Sequence, residues 1–454
     1  MKPNQTSLMS QRRRERASVL VIVLWIAIGL ISIALYFANS MTYELRASDN
    51  RVSGLETDQA IEGAARYVAW VLNTYSTNGS VPNNTQFSCE AVPVGDAHFW
   101  LIGRDPAETP SSDPYFGLVD ETGKLNLNTV STNTLLYMPN MTEDFADAII
   151  DWRSTNGYGL YSMNYSSLGY EDKNAPFETV DELRLVYGAT MDLLVGNDLN
   201  MNGILDDNEK GANGAEVEPG LLEYFTVYSR EPNFLVYNDE DVLLTNVSTA
   251  STPDMEALFN SAGVSTSYIR QLAGNGTTYN GILDFCVACK EAGMSSDDFA
   301  KIYPYVTTST ATYIRGRVNI NTADSTVLAA LFIGVGSNLG VDENAAESAA
   351  QTVVTYREQN PQSLNSVAWI VDALGTTSPI IRVLRSGDFI TARSYQFTAD
   401  IAAVGPYGRG YRRVKFIFDT SDGTAKIIYR QDLSRLGWAL GDKVRQTWVA
   451  NATQ

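Results

Sequence analysis

SVLVIVLWIAIGLISIALYFA (residues 18–38) runs directly into NSMTYELRASDNRVSGLETDQAIEGAARYVAWVLN (39–73), and this junction decides how the rest of the chain is read. The first stretch carries no charge. As a helix it spans roughly 31 Å, about the hydrocarbon thickness of a bilayer. The second contains no proline, and its Ile61, Ala64, Val68 and Val71 recur at the spacing of one helical face. The pattern predicts one long helix from Ser18 to Asn73, a transmembrane helix (18–38) and its soluble continuation (39–75), with Gly54 as the point where it could bend. QRRRER precedes the apolar run, so the positive-inside rule puts the N-terminus in the cytoplasm and the bulk of the chain outside it. A secretory signal would have a shorter apolar core followed by an AxA-like cleavage site, and neither is present.

The whole chain of 454 residues carries 33 basic and 52 acidic side chains, a net charge of −19. Residues 1–17 are basic, so the remainder is more acidic than that total. Such a body repels phosphate backbones, which argues against nucleic-acid binding. The single histidine, His98, excludes the two-His zinc signature and leaves little room for a His-dependent triad. No phosphate-cradling glycine motif and no nucleophile beside a base is present, so the expectation is a protein that is not an enzyme. Cys286 and Cys289 form an isolated CxxC that reads as a structural pair of thiols, and Cys89 stands far from both.

An internal echo organises the middle of the chain. GKLNLNTVSTNTLLYM (123–138) matches GRVNINTADSTVLAALF (316–332), and each leads to an alanine-containing helical segment ending in arginine, Arg153 or Arg357. FETVDELRLVYG (177–188) and LNSVAWIVDALG (364–375) complete the two units. Thr129 and Thr322 are candidate helix caps, with the preceding asparagines fixing the turn. The units look like helix-hairpin-helix modules. The ends of the head read as strands: HFWLIGRD (98–105) and YFGLVDETGKLNLN (115–128) near the start, then YQFTADIAAVG (395–405), YRRVKFIFDT (411–420) and TAKIIYRQ (424–431).

The sharpest chemical signal is Asp198-Leu-Asn-Met-Asn-Gly-Ile-Leu-Asp-Asp-Asn-Glu209, which satisfies D-x-[DN]-x-[DN]-G-x5-E. Calcium takes six to eight hard oxygens at about 2.3–2.6 Å, and a tightly curled loop supplies them from alternate positions. Asp198, Asn200 and Asn202 would ligate through side-chain oxygens and Ile204 through its carbonyl. Asp206 would ligate directly or through water, and Glu209 with both oxygens. Gly203 permits the turn, and Leu205 could anchor the loop in a core. No helix is expected after Glu209, so this is an EF-hand-like loop with a structural role.

RASVLVIVLWIAIGLISIALYFANSMTYELRA (16–47), the DETGKLNLNT (120–129) and RVNINTA (317–323) segments together resemble the general secretion pathway K proteins, the large minor pseudopilins of type II secretion. The resemblance covers most of the chain, with 211–315 the least constrained. It implies an α+β pseudopilin fold: a long N-terminal helix on an antiparallel sheet, with a large inserted α-helical domain containing the two repeats. The implied divisions are a basic prepilin-type leader (1–17), the helix (18–75), a first β part (76–125), the insertion (126–390), closing strands (391–437) and a flexible tail (438–454). A prepilin peptidase would cut between Ala17 and Ser18, where alanine stands for the family's glycine. Ile22 occupies the position at which most pilins carry glutamate, a lack that fits a tip subunit. Also implied are I-type and J-type minor pseudopilin partners, through them the major pseudopilin, a structural calcium ion, and a single-pass place in the bacterial inner membrane with the bulk periplasmic. At the tip the chain would initiate or cap the pseudopilus. Two other readings remain: a membrane-anchored helix-hairpin-helix DNA-binding protein of competence type, and a type II membrane glycosyltransferase using the Asp239–Asp241 acidic tripeptide. The acidic body weighs against the first, and nothing around the tripeptide looks like a nucleotide fold.

Overall fold

The computed structural model describes residues 6–108, 111–155, 159–207, 209–210, 217–237, 240–272 and 278–448. Without a proline to interrupt it, helix α1 propagates from Thr6 to Tyr75, through Gly54 without a break. Among the described residues it is the one helix long and apolar enough to cross a membrane, with a window of mean hydropathy 2.8 and none of that window buried. Its C-terminal part behaves differently. Ala60, Ile61, Ala64, Ala65, Val68, Val71 and Leu72 are all buried, so the stripe expected from the sequence is the face that packs.

That face lies on an antiparallel sheet. Its strands are β1 (Val92–Val94), β2 (Ala97–Ile102), β3 (Val119–Asp120), β4 (Gln396–Val404), β5 (Tyr411–Asp419) and β6 (Lys426–Asp432). The order is β1-β2-β4-β5-β6, with β3 also paired to β4. Strand alternation sends Phe99, Leu101, Phe397, Ala399, Ile401, Val414, Phe416 and Phe418 to the helix side. Trp100, Ile102, Ala402 and Val404 point to the opposite side and are buried too, so β4 is covered on both faces. Each large apolar side chain buried this way contributes about 1.5–3 kcal/mol.

Between β3 and β4 the chain leaves the sheet and builds a second, larger core from several helices. This part was expected to be helical. It also contains five two-stranded ladders among the described residues, two of them formed because each repeat begins with a short extended segment that needs a backbone partner. Leu125–Asn126 pairs in parallel with Phe225–Thr226, and Val318–Asn319 in parallel with Ile390–Thr391. The repeat itself is plain. Asn126 Oδ1 accepts from Asn128 N, and Asn319 Oδ1 from Asn321 N. Arg153 donates to the carbonyls of Leu127 and Val130, and Arg357 to those of Ile320 and Ala323.

The caps fall two residues beyond the expected threonines. Ser131 and Asp324 cap the first helices, because Thr129 N and Thr322 N are still engaged in the turn, bonded to Asn126 O and Asn319 O. The glycines of the second hairpin serve packing. A Cβ on Gly334 would lie 2.3 Å from Thr134 Oγ1, so here the two units press backbone against side chain, and one on Gly336 would lie 2.8 Å from Val341 Cβ within the hairpin itself. Cys89, Cys286 and Cys289 are all free and buried. Burial pushes the Cys286 and Cys289 thiols up, which keeps them protonated and inert.

The tail is a further difference. Residues 438–448, expected to be flexible, lie against the outer face of the sheet, with Ala439 and Leu440 buried beside Trp100 and Val404. The reason is the two-sided burial of β4: its outer apolar face needs a cover, and this segment supplies it.

Candidate functional site

The loop beginning at Asp198 is closed at its base by backbone pairing. Gly196 bridges Pro219, Asn197 N donates to Glu218 O at 3.1 Å, and Gly220 N to Val195 O at 3.1 Å. Only glycine fits there, since a Cβ on Gly196 would lie 1.9 Å from Glu218 O and one on Gly220 2.2 Å from Leu194 C. Within the loop, Met201 (φ 55°) and Gly203 (φ 84°) take the left-handed conformation that curls the chain.

The curl turns backbone N–H groups onto the carboxylates. Asp198 accepts from Asn202 N at 3.0 Å and Gly203 N at 2.7 Å. Glu209 accepts from Asn200 N at 3.1 Å and Asp206 N at 3.0 Å, bringing the last residue of the motif back to its start. Asp206 Oδ2 accepts from the amides of Asn200 at 2.5 Å and Asn202 at 3.1 Å. Asp198, Asn200, Asn202 and Ile204 are buried, while Leu205 is half-buried, so Ile204 is the apolar anchor in place of Leu205. The structure thus gathers Asp198, Asn200, Asn202, Asp206 and Glu209 in one curl, with Ile204 at its inner side.

Burial dominates the electrostatics of two loop carboxyls. Burial pushes the Asp198 carboxyl up, against the pull of Arg104 and of the Gly203 and Asn202 N–H groups. Burial also pushes Asp206 up; the Asn200 amide opposes this, and the negative charge of Glu209 adds to it. Among the described residues no three His, Cys, Asp or Glu side chains form a metal-ready cluster. The motif places amides at two ligand positions, and one amide oxygen, Asn200 Oδ1, is buried with no hydrogen-bond donor. An orphaned buried oxygen costs about 1–3 kcal/mol, and a hard cation is a partner it lacks. The donor set of carboxylate and amide oxygens fits calcium better than a softer metal.

Residues that sequence reasoning missed hold the loop to the sheet. Arg413 of β5 is buried and pairs with Asp400 of β4 at 2.6 Å, while donating to the carbonyl of Asn200 and, at 2.8 Å, to that of Met201. Arg104 donates to Met201 O at 3.2 Å and pairs with Glu223 at 2.8 Å. A signal was present for Arg413: strand alternation puts this charge on the same buried face as Ile417.

The other predicted positions lie apart. The Ala17–Ser18 bond falls within α1, N-terminal to the apolar run. Asp239 lies outside the described residues, and the acidic tripeptide it opens enters the strand Glu240–Leu243, paired with Phe234–Tyr237 in a small hairpin. In the second repeat, the helix Glu343–Gln359 starts with the Asp342 cap and Glu343, placing negative charge where a phosphate would have to approach.

The chain is similar to a solved component of a secretion machine. The crystal structure of the GspK-GspI-GspJ complex from the enterotoxigenic Escherichia coli type 2 secretion system contains a chain at 12% identity, matched over 83% of this chain and 97% of that one with a TM-score of 0.41. No protein-family model and no curated protein matches the chain.

Proposed function

We propose that this chain is a K-type minor pseudopilin of a type II secretion system, a non-enzymatic subunit at the pseudopilus tip. The observation that carries the reading is α1: one uninterrupted helix with an apolar, uncovered stretch over 19–38 and, further on, the 60–72 stripe buried against an antiparallel sheet. A helix built this way suits extraction from the bilayer into a filament, with the head riding on its end. The leader would be removed by a prepilin peptidase between Ala17 and Ser18. The basic cluster before the helix favours an inner-membrane, single-pass orientation with the head in the periplasm. The size of the insertion supports the tip position, since so large a body added to the pilin core would obstruct packing inside a filament. There the subunit would initiate or cap assembly with I-type and J-type partners, which link it to the major pseudopilin.

Asp198, Asn200, Asn202, Asp206, Glu209 and the Ile204 carbonyl would hold a calcium ion. Its contribution is to neutralise the buried carboxylates and fix a long surface loop against the sheet. The protein's own residues do the rest: Arg413 and Arg104 hold the loop backbone, and the Gly196–Gly220 clip closes it. The test is assembly. Mixing this protein with the I and J partners should give a 1:1:1 complex by light scattering, and monomers persisting at high concentration would overturn the tip role.

A further inference from the structure

The segment 438–448 meets the cation loop through its backbone. Asn200 Nδ2 donates to Trp438 O at 3.1 Å, and Asn202 Nδ2 donates to Ala439 O at 3.3 Å. These are the two amides whose oxygens belong to the motif. Each of these amide nitrogens has two hydrogens, one given to Asp206 Oδ2 and one to a carbonyl of this segment, so the segment's carbonyls help fix where the amide oxygens point. Asn200 Oδ1 is the oxygen left buried without a donor. On the opposite side Arg413 ties the Asn200 and Met201 carbonyls to the sheet, so the loop stays in place if the segment lifts away.

The segment has its own hold on the sheet, separate from the loop. Ala439 N donates to Tyr411 Oη at 3.2 Å, Trp438 packs on Tyr411 at 5.1 Å, and the Trp448 ring lies 4.4 Å from His98 and 5.5 Å from Trp100.

We propose that segment 438–448 is the outer wall of the cation site, orienting Asn200 and Asn202, so that calcium binding and docking of this segment on the sheet strengthen each other. The proposal rests on the calcium reading of the loop. Linkage makes the effect reciprocal: calcium holds the segment tighter by the same factor by which the docked segment holds calcium, typically about 5- to 150-fold. Trp438 and Ala439 are positioning residues, acting through the amides. The consequence is a calcium-dependent clasp over the apolar outer face formed by Trp100, Ile102, Ala402 and Val404.

The test uses the full chain in detergent micelles, with saturating calcium and with a chelator. Amide hydrogen exchange across 438–448 should slow by about tenfold or more with calcium, while β4 on the same sheet changes little. Trp448→Ala loosens the segment without touching the loop, and it should weaken calcium binding by about fivefold or more in calorimetry. Tyr411→Phe, which removes only the hydroxyl that Ala439 N uses, should act in the same direction and serves if the first variant folds poorly. Calcium binding with unchanged exchange in 438–448 and unaltered affinity in both variants would overturn the coupling and leave the site standing. Absence of any calcium binding would overturn both.

Discussion

Glu231 sits in a buried ion-pair network between the insertion and the strand that re-enters the sheet, and replacing it with glutamine tests how the two are joined. The residue is 5% exposed. It accepts from Arg317 Nη1 at 2.9 Å, Arg393 Nη1 at 3.0 Å and Thr391 Oγ1 at 3.0 Å. Arg317 also pairs with Asp388, and Arg393 stacks 4.3 Å over the Tyr303 ring while donating to the Tyr303 carbonyl. Glu231→Gln keeps the shape and one acceptor oxygen but leaves two buried guanidinium groups with one carboxylate, Asp388, between them. Removing one partner of a buried ion pair costs about 3–5 kcal/mol. At about 2 °C per kcal/mol for a large domain, the melting temperature should fall by about 6–10 °C. The variant also predicts a change in acid response. Burial pushes the Glu231 carboxyl up, but Arg317 and Arg393 more than offset this and hold it below the usual carboxylate range. A carboxyl lowered in the folded state contributes stability that is present above its unfolded pKa and lost as pH falls through its folded one. Wild type should therefore lose this share of its stability only below the ordinary carboxylate range, and Glu231→Gln should remove that acid-dependent share. Denaturant melts of both proteins from neutral pH into acid measure the difference. A loss under about 1 kcal/mol, or identical pH profiles, would refute the reasoning.

Three further outcomes follow from the cation loop and its supports. Adding calcium at a hundred times its dissociation constant to calcium-free protein should stabilise it by about 2.7 kcal/mol, and Asp206→Ala should abolish that shift in thermal melts. Arg413→Lys should destabilise the head by about 2–4 kcal/mol in denaturant melts, because three donors on one nitrogen cannot reproduce the bidentate pair to Asp400 together with the bonds to two loop carbonyls; a change under about 0.5 kcal/mol would contradict the role given to that arginine. Gly220→Ala should cost several kcal/mol and weaken calcium binding in calorimetry, since the added Cβ would meet Leu194 C and Val195 N at 2.2 Å.

Much of this was legible in the sequence, for identifiable reasons. The apolar run and the Ile61, Ala64, Val68, Val71 stripe fix α1 because helical periodicity is a local property. The Asn126 and Asn319 turns and their distant arginines were legible because the chain repeats itself. The loop from Asp198 to Glu209 was legible because its spacing is dictated by one turn of backbone. What escaped depends on distant contacts. Ser131 and Asp324 displace Thr129 and Thr322 as caps because backbone bonds within the turn delay the start of each helix. Arg413 reaches Asn200 across more than two hundred residues of sequence. The 438–448 segment is short and carries three charged residues among eleven, so nothing local marks it as packed; its order comes from the outer apolar face of β4, which it covers.

The central claim, that α1 is a prepilin-type membrane helix carrying a pseudopilin head, is tested most directly by the N-terminal mass of the protein expressed in membranes with and without a prepilin peptidase. The account predicts a new terminus at Ser18 that appears only with the peptidase. An intact Met1 terminus in both preparations would contradict it.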